Sequence, residues 1–288
     1  MKGIDHLVLA GRDLDAMRER YRALGFTLTP PARHPFGTGN SLVQLDGCFL
    51  ELLAVLDPAA IPEHRPGHFS FGAFNRDFLS RGEGLSMLVL STLDARADAA
   101  RWRLAGLDTY APFDFSRKAK LPSGEDVTVG FSLAFATHPE MPQAGFFVSE
   151  QHAPEHFWKP EYQRHPNTAA TILEACLVAE KPGPVESFIA SLAEAKPERT
   201  AGGSRMGTAR GDILILDPQA FALRYGSRPP PLAEGPRFAG FTVGLADTGF
   251  IEKRGLHRAG GRWIVPPDDA FGTAIAFAGL TRQGESHE

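Results

Sequence analysis

The chain has 288 residues, 43% of them hydrophobic and 22% charged, a composition that excludes disorder and predicts a sizeable core. Thirty Lys and Arg against 34 Asp and Glu give a net charge of −4, which provides no electrostatic reason to bind nucleic acid or an anionic membrane. No apolar run approaches the roughly 18 residues of a membrane span. Cys48 and Cys176 lie far apart in apolar runs, so we expect a reduced, cytoplasmic protein without disulfides.

The first 56 residues predict one β-α-β-β-β unit. An apolar strand over residues 4–10 is followed by Asp13, which can cap a helix because its carboxylate accepts from the free amides of a first turn. Apolar residues recur along this helix at helical spacing, and Gly25 follows the last of them. Three more strands separated by Pro, Gly and Asn turns complete the unit, over residues 26–28, 41–45 and 48–55.

The same unit recurs along the chain. At an offset of 81 residues, Asp94 matches Asp13 and Gly106 matches Gly25. A third copy begins near Thr171, with its last two strands predicted over residues 212–216 and 220–225, and a degenerate fourth copy covers residues 238–279. We therefore predict an α+β protein of four β-α-β-β-β modules paired one with two and three with four. The predicted domains cover residues 1–152 and 169–280, with residues 153–168 as the strap between them.

Paired modules of this kind resemble the vicinal oxygen chelate superfamily, which contains glyoxalase I, extradiol dioxygenases and bleomycin-resistance proteins. The opening GIDHLVLAGRDLDAMRERYRALGF resembles the first strand and helix of that superfamily. Three further segments resemble more narrowly the glyoxalase-like domain family of bacteria. They are HPFGTGNSLVQLDGCFLELLAV, FGAFNRDFLSRGEGLSMLVL and EQHAPEHFWKPEYQRHPNTA. The resemblance implies that each module forms half of a barrel, that two halves enclose a cavity, and that metal ligands come from the first and last strands of a module.

His6 on the first strand and Glu51 on the fourth match those ligand positions. Side chains alternate along a strand, so His6 is expected on the cavity face together with Ile4 and Val8. Glu51 lies among apolar neighbours, where a carboxylate is costly to bury unless a cation, a metal or a proton compensates it. An imidazole nitrogen and a carboxylate oxygen together are common metal ligands, although either residue could also be purely structural.

The second module departs from the ligand pattern, because Met87 stands where His6 stands in the first. Its last strand offers Glu150 and His152 instead. The resemblance therefore implies His6, Glu51 and His152 as candidate ligands of a divalent metal, which could be Zn, Fe, Mn or Ni. Glu51, Glu150 and His152 are the candidates for proton transfer.

Phenylalanine is unusually frequent, with 21 Phe against four Tyr and three Trp, and much of it lies outside clean strands. Such residues predict loops that fold back onto a core, or the wall of an apolar ligand pocket. The segment 151–167 is rich in His, Trp, Gln and Asn, and it is either a structural strap or a cap over the cavity. The candidate substrate-binding residues are Phe49, Met87, Phe131, Phe147, Trp158, Gln163 and His165.

The carboxy-terminal pair carries fewer candidate ligands. Glu174 stands at the position of His6, and Leu223 or Arg224 at that of Glu51. Extradiol dioxygenases hold their metal in this pair with two histidines and one glutamate, so the resemblance argues against that activity. Glu174 is expected to pair with Arg224 or another cation.

Three functions remain open from the sequence. The leading one is a metal-dependent enzyme, with lyase, isomerase or dioxygenase chemistry, acting on a small oxygenated and partly apolar metabolite. The alternative is a metal-free protein that binds and sequesters a small molecule, as bleomycin-resistance proteins do, and a third is a scaffold for a partner. The expected partner is a small-molecule ligand, and the sequence leaves a homodimer open.

Overall fold

The computed structural model describes residues 2–120 and 126–280, which form two β-sheets. The strands of the first sheet are β1 (Ile4–Ala10), β2 (Ala32–Arg33), β3 (Thr38–Gln44), β4 (Phe49–Val55), β5 (Gly84–Ser91), β6 (Asp108–Thr109), β7 (Phe113–Lys120), β8 (Asp126–Thr137) and β9 (Gly145–Gln151). Their order is β2-β3-β4-β1-β5-β9-β8-β6, with β7 paired to β8. The first strands of modules one and two, β1 and β5, run antiparallel at the centre and so join the two modules.

The second sheet repeats this arrangement. Its strands are β10 (Ala169–Val178), β11 (Pro197–Thr200), β12 (Gly203–Gly207), β13 (Asp212–Leu216), β14 (Arg237–Leu245), β15 (His257–Ala259), β16 (Arg262–Val265) and β17 (Ala274–Gly279). Their order is β11-β12-β13-β10-β14-β17-β16-β15, with β10 and β14 antiparallel at the centre. The predicted fold class and the pairing of modules are thus confirmed, while the domain boundaries at residues 152 and 168 stay a prediction.

Short helices connect the strands. They are α1 (Leu14–Ala23), α2 (Phe71–Arg81), α3 (Ala95–Leu104), α4 (Pro154–Phe157), α5 (Gly183–Ala193), α6 (Pro218–Tyr225) and α7 (Gly249–Glu252), with 3₁₀ turns at Pro58–Ala60, Pro160–Tyr162 and Pro267–Asp269. Asp13 and Asp94 cap α1 and α3 in the same way, each accepting a backbone amide three residues on, as the repeat predicts. No helix among the described residues has both the length and the apolar character needed to cross a membrane.

The helix-bearing faces of the two sheets share one hydrophobic core. Met17 of α1, Trp102 of α3 and Ile189 of α5 all belong to it, as do residues of the central strands of both sheets. The Phe146 and Phe188 rings meet across the interface with their centroids 5.2 Å apart. This packing leaves the opposite, concave face of each sheet to a separate set of side chains, which is where a ligand can be held.

Residues 220–225, predicted as a strand, form most of helix α6. Asp217 caps the helix by accepting a first-turn amide at 2.7 Å, and Pro218 suits its first position because no amide hydrogen is needed there. Phe221 and Tyr225 of this helix are fully buried against the concave face of the second sheet. The helix therefore fills the space that in the first sheet remains a cavity.

Three of the phenylalanines that we predicted to lie outside regular strands are on helix α2. Phe71, Phe74 and Phe78 are spaced three and four residues apart, so all three reach one side of the helix. Ser70 caps it, its hydroxyl accepting the amide of Ala73 at 3.1 Å. Phe71 and Phe74 pack onto the concave face of the first sheet, as the prediction of a folded-back segment requires.

Candidate functional site

His6 and Glu51 face the same cavity from adjacent strands. β1 and β4 run parallel, with His6 opposite Phe49 and Glu51 two residues further along β4. Leu50 and Leu52 pack into the shared core, whereas Phe49 belongs to a second group of buried side chains on the concave face, which includes Val8, Met87 and Phe131 and is called the concave cluster. Because side chains alternate along β4, Glu51 points to the concave face as well. His6 is 5% and Glu51 6% exposed, so both polar groups are held away from bulk water.

A β-bulge in β1 supplies His6 with a partner. The register with β5 shifts between Ile4 and His6, and such an extra residue re-aims the side chains beside it. Asp5 Oδ1 lies 2.6 Å from His6 Nδ1, and Asp5 Oδ2 accepts from Gln151 Nε2 at 3.1 Å. Ile4 lies in the shared core, so the prediction that it shares the cavity face with His6 is wrong, and the bulge is the reason.

The partner of His6 decides which ring nitrogen carries the proton. An ionised carboxylate only accepts hydrogen bonds, so Nδ1 of His6 is the donor to Asp5. In the neutral tautomer with its proton on Nδ1, Nε2 carries a lone pair, and it lies 3.7 Å from Glu51 Oε2, which is longer than a hydrogen bond. Two electron-rich atoms thus face each other in a buried place.

His34 and Asn40, which the sequence did not single out, stand at the other oxygen of the same carboxylate. Asn40 Nδ2 donates to Glu51 Oε1 at 2.6 Å and also lies 3.2 Å from His34 Nε2. His34 Nε2 is itself 4.0 Å from Glu51 Oε1. Both residues belong to a stretch between Pro31 and Ser41 without apolar periodicity, so the sequence carried no signal for them.

A cavity of about 70 Å³ opens in front of these groups, and its wall is mostly aromatic. Phe49, Phe131 and Phe147, predicted as substrate-binding, line it. The remaining lining residues are His6, His34, Phe36, Asn40, Leu42, Glu51, Phe71, Phe113, Phe115, Leu133, Ser149 and Phe157. The wall therefore includes eight phenylalanines and a small polar cluster centred on Glu51.

Three other predicted substrate-binding residues, Met87, Trp158 and Gln163, lie away from the cavity. Met87 is fully buried in the concave cluster, and Trp158 packs on Phe157 with 5.0 Å between ring centroids. Gln163 donates to the Leu45 carbonyl at 2.9 Å, outside the cavity. None of these three side chains lines the cavity.

His165 is a structural residue of the strap. Its Nδ1 accepts from the Thr27 amide at 3.0 Å and its Nε2 donates to the Gln44 carbonyl at 2.8 Å. Burial lowers the pKa of His165 and outweighs the opposite effect of the bond to Gln44. The ring is thereby kept neutral, and it fastens the strap to the end of β3.

Glu150 and His152 lie outside the cavity. Glu150 Oε2 accepts from the Ala95 amide at 3.0 Å and so helps to cap α3. His152 Nε2 is 2.8 Å from Ser132 Oγ, and its side chain is 47% exposed. The structure therefore does not bring His152 to His6 and Glu51, and the predicted three-ligand set is not assembled.

The strand register explains why the second module supplies no ligand. Met87 pairs with Gly145 as His6 pairs with Phe49, so the equivalent of Glu51 is Phe147, two residues further along β9. By the same reasoning Leu214, and not Leu223 or Arg224, is its equivalent in the third module. The prediction from the repeat pattern had placed the equivalents of Glu51 several residues too far along the chain in both modules.

The donor atoms of the first module suit a divalent ion. Two ligands about 2.1 Å from one tetrahedral ion are themselves about 3.4 Å apart, close to the 3.7 Å between His6 Nε2 and Glu51 Oε2. The bond from Asp5 orients the ring, as carboxylates commonly do for metal-bound histidines. Across residues 2–120 and 126–280, no group of three or more His, Cys, Asp or Glu side chains is arranged as a ready-made metal site. His6 and Glu51 are thus a pair of cavity residues whose spacing fits one ion.

The second sheet holds a saturated ion-pair network at the equivalent place. Glu174, which is 5% exposed, accepts from Arg224 Nε at 2.8 Å and from Thr242 Oγ1 at 2.8 Å, and Tyr225 is a third donor. Arg262 Nη2 lies 3.8 Å away. The expected pairing of Glu174 with Arg224 is confirmed, and the donors around this carboxylate compensate its buried charge.

Comparison with known proteins places the chain among glyoxalase-like folds. A family model described as a glyoxalase-like domain matches residues 4–193. A hypothetical protein from Staphylococcus aureus is similar in structure at 13% identity and a TM-score of 0.71, covering 97% of this chain and 100% of that one. A mutant of 4-hydroxymandelate synthase from Streptomyces coelicolor is 12% identical with a TM-score of 0.54, covering 93% of this chain and 78% of that one. No curated protein sequence matches the chain.

A third structural neighbour is a xylose isomerase-like TIM barrel/4-hydroxyphenylpyruvate dioxygenase fusion protein. It is 12% identical, with a TM-score of 0.55, and the alignment covers 88% of this chain and 39% of that one. At such identities the likeness to these structures shows the fold alone. The chemistry has to be argued from the site itself.

Proposed function

Since the chain belongs to the glyoxalase-like domain family of the vicinal oxygen chelate superfamily, we propose that it is an enzyme acting on a small oxygenated, partly apolar metabolite. A divalent metal ion held by His6 and Glu51 would assist the reaction. The observation that carries the proposal is the buried pair itself, with His6 Nε2 and Glu51 Oε2 3.7 Å apart. Facing lone pairs in a place of low dielectric are stabilised by a cation.

The residues around the pair have distinct tasks. Asp5 holds the His6 ring through Nδ1, and Phe49 stacks on that ring with 4.2 Å between centroids, so Nε2 keeps its direction. A divalent ion, when bound, polarises a substrate oxygen and so makes a neighbouring hydrogen more acidic. Glu51 can take up that proton at Oε1, the oxygen that faces His34 and Asn40. Proton transfer of this kind belongs to isomerase and lyase reactions alike.

The aromatic wall determines what the cavity admits. Ten of the fifteen lining residues are Phe or Leu, so an apolar or aromatic group gains from leaving water there. The five polar lining residues are His6, His34, Asn40, Glu51 and Ser149. A ligand with oxygen atoms at one end and an apolar group at the other satisfies both parts.

Metal analysis of the purified protein tests the proposal. Protein prepared without chelator should contain about one equivalent of Zn, Fe, Mn or Ni, and His6→Gln should lose it. His152→Gln is the matched control, because this histidine directly follows β9 but lies outside the cavity, and it should retain the metal. A wild-type protein that neither contains nor takes up any of these ions would refute the proposal.

A metal-free binding protein is the second candidate. It is favoured by the lack, among the described residues, of three clustered metal-binding side chains, and by the eight phenylalanines of the wall. In that case His6 and Glu51 would bond to the ligand directly. The wild type would then contain no metal, and His6→Gln would weaken binding of an aromatic ligand without any dependence on chelator.

A further inference from the structure

The concave face of the first sheet holds a second cavity beside the one at Glu51. Its volume is about 230 Å³, against about 70 Å³ for the first cavity. The two cavities share three lining residues, Asn40, Leu42 and Phe157. Asn40 and Leu42 lie on β3 and form a side common to both cavities, whereas Phe157 is the last residue of α4, in the strap. The Phe157 ring therefore stands as a partition between the two cavities.

Other aromatic rings hold this partition in place. The centroid of the Phe157 ring lies 5.2 Å from that of Phe49, 5.8 Å from that of Phe131 and 5.0 Å from that of Trp158. Phe157 is 6% exposed, so its ring fills space that would otherwise join the two cavities. A ring packed on three others keeps its position, because protein interiors are close-packed and aromatic pairs favour particular geometries.

The strap is fastened through its backbone on either side of this ring. Gln44 Nε2 donates to the Phe157 carbonyl at 2.9 Å, and Gln44 Oε1 accepts from the Lys159 amide at 3.0 Å. The Trp158 amide donates to the Pro154 carbonyl at 3.2 Å. None of these bonds uses the Phe157 side chain, so a shorter side chain can open the partition without releasing the strap.

We propose that Phe157 is a specificity-determining residue, which confines the substrate to the cavity at Glu51 and so limits it to a compact molecule with no more than one ring. This inference rests on the proposed function, since it concerns the ligand of the same cavity. It also gives the strap a task that differs from both sequence-based alternatives, because the strap then divides the concave face.

The packing of Phe157 determines which ligands it excludes. A ligand with its oxygens toward Glu51 and its ring between Phe49 and Phe131 meets Phe157 at the far end of that ring, since Phe157 packs on both phenylalanines. An extension there overlaps with the Phe157 ring, and such overpacking costs affinity. Without the Phe157 ring, the extension enters the second cavity, where Val129 is one of the residues that offer apolar surface.

Binding of two aryl hydroxyketones tests the proposal by calorimetry. 2-Hydroxyacetophenone is the compact compound, and its biphenyl analogue carries a second ring at the para position, opposite the oxygens. Wild type should bind the two-ring compound at least about ten-fold more weakly than the compact one. Phe157→Ala should bind the two-ring compound at least about ten-fold more tightly than wild type does, and should lose little affinity for the compact one. A crystal structure of this variant with the two-ring compound should show the second ring in the second cavity.

Phe113→Leu is the matched control, because Phe113 lines the first cavity and not the second, so that shortening it enlarges the same wall elsewhere. This variant should keep the wild-type preference. Phe157→Leu protects the test against a folding artefact, since it keeps an apolar side chain and should give an intermediate preference at a melting temperature close to that of wild type.

Three results would overturn this inference alone. They are a wild type that binds both compounds equally well, a Phe157→Ala variant that discriminates as strongly as wild type, and a Phe113→Leu variant that admits the two-ring compound as Phe157→Ala does. A wild type that binds neither compound would overturn the ligand class of the proposed function too. The metal content of the protein tests the other part of that function separately.

Discussion

The Phe147 ring meets the His6 imidazole edge-on, with 5.5 Å between their centroids, from the position that Glu51 occupies in the first module. One half of the cavity thus carries carboxylate and imidazole groups, and the equivalent place in the other half carries a phenyl ring. A duplicated fold has become asymmetric at its centre. The asymmetry suits a ligand that is oxygenated at one end and apolar at the other.

The first prediction follows from this asymmetry and concerns where a ligand binds. A small aromatic ketone with an adjacent hydroxyl group, 2-hydroxyacetophenone for example, should bind with its oxygens toward Glu51 and its ring between Phe49 and Phe131. A crystal soaked with this compound would show the position directly. Principal density on the concave face of the second sheet near Glu174 would contradict the prediction, because Phe221 and Tyr225 fill that space.

The second prediction concerns the buried pair of Glu174 and Arg224. Arg224→Met leaves a 5% exposed carboxylate with its main cation removed, so we expect a loss of about 3 kcal/mol in the free energy of unfolding. The double variant Glu174→Leu with Arg224→Met should lose less of its free energy of unfolding, because no unpaired charge remains. Urea unfolding at neutral pH measures both. A double variant as unstable as the single one would mean that packing, and not the charge, sets the cost.

The same pair predicts a dependence on pH. Burial by itself raises the pKa of Glu174, but the bonds and charges of Arg224, Thr242 and Arg262 outweigh it and hold the pKa below the usual 4.5. The folded state therefore binds the proton less tightly than the unfolded state, so the stabilisation exists above pH 4.5 and is lost as the pH falls further. Between about pH 5 and pH 3, wild type should lose more stability than the double variant does. Equal losses would contradict this.

The third prediction concerns His165. Burial lowers its pKa below the usual 6.5, so the unfolded chain takes up a proton at a pH where the folded protein does not. Stability should consequently fall as the pH drops below 6.5. The amide of His165→Gln can reproduce the bond to Gln44 but not also the one from Thr27, and it does not titrate. The variant should therefore cost about 1–2 kcal/mol at pH 8, and the difference from wild type should shrink toward pH 5. Urea unfolding over this range, with His68→Gln as the control, would show a constant difference if the idea is wrong.

The sequence predicted the fold well because its repeats carry local signals. Asp13 and Asp94 occupy the same cap position, and the apolar stripe behind Asp13 has helical spacing, so the module pattern could be read directly. The strand predicted over residues 220–225 was wrong. FALRY alternates like a strand, although Asp217 and Pro218 before it were signals of a helix start. Periodicity in so short a segment did not decide between the two.

The site was only partly predictable. His6 and Glu51 stood out because polar residues in apolar strands need a reason, and both line the cavity. Glu150 and His152 were predicted because the last strand of the second module offers them. Sequence position alone does not show the strand register, which makes Phe147 the equivalent of Glu51. His34 reaches Glu51 through a hairpin whose geometry depends on long-range pairing, and no local pattern announces that contact.

Thermal melts of Glu51→Gln and Glu51→Leu, run with EDTA and with added Zn²⁺, would show whether Glu51 holds an ion. If His6 and Glu51 hold an ion, chelator should lower the wild-type melting temperature and Zn²⁺ should restore it. Glu51→Gln, nearly isosteric, should melt close to the chelated wild type, respond to neither addition, and bind Zn²⁺ at least about ten-fold more weakly. A carboxylate without a function would instead be a buried charge, whose removal stabilises the protein by about 1–3 kcal/mol. Variants that are stabilised to this degree, with metal content and ligand binding unchanged, would contradict the assignment of Glu51 to a functional site.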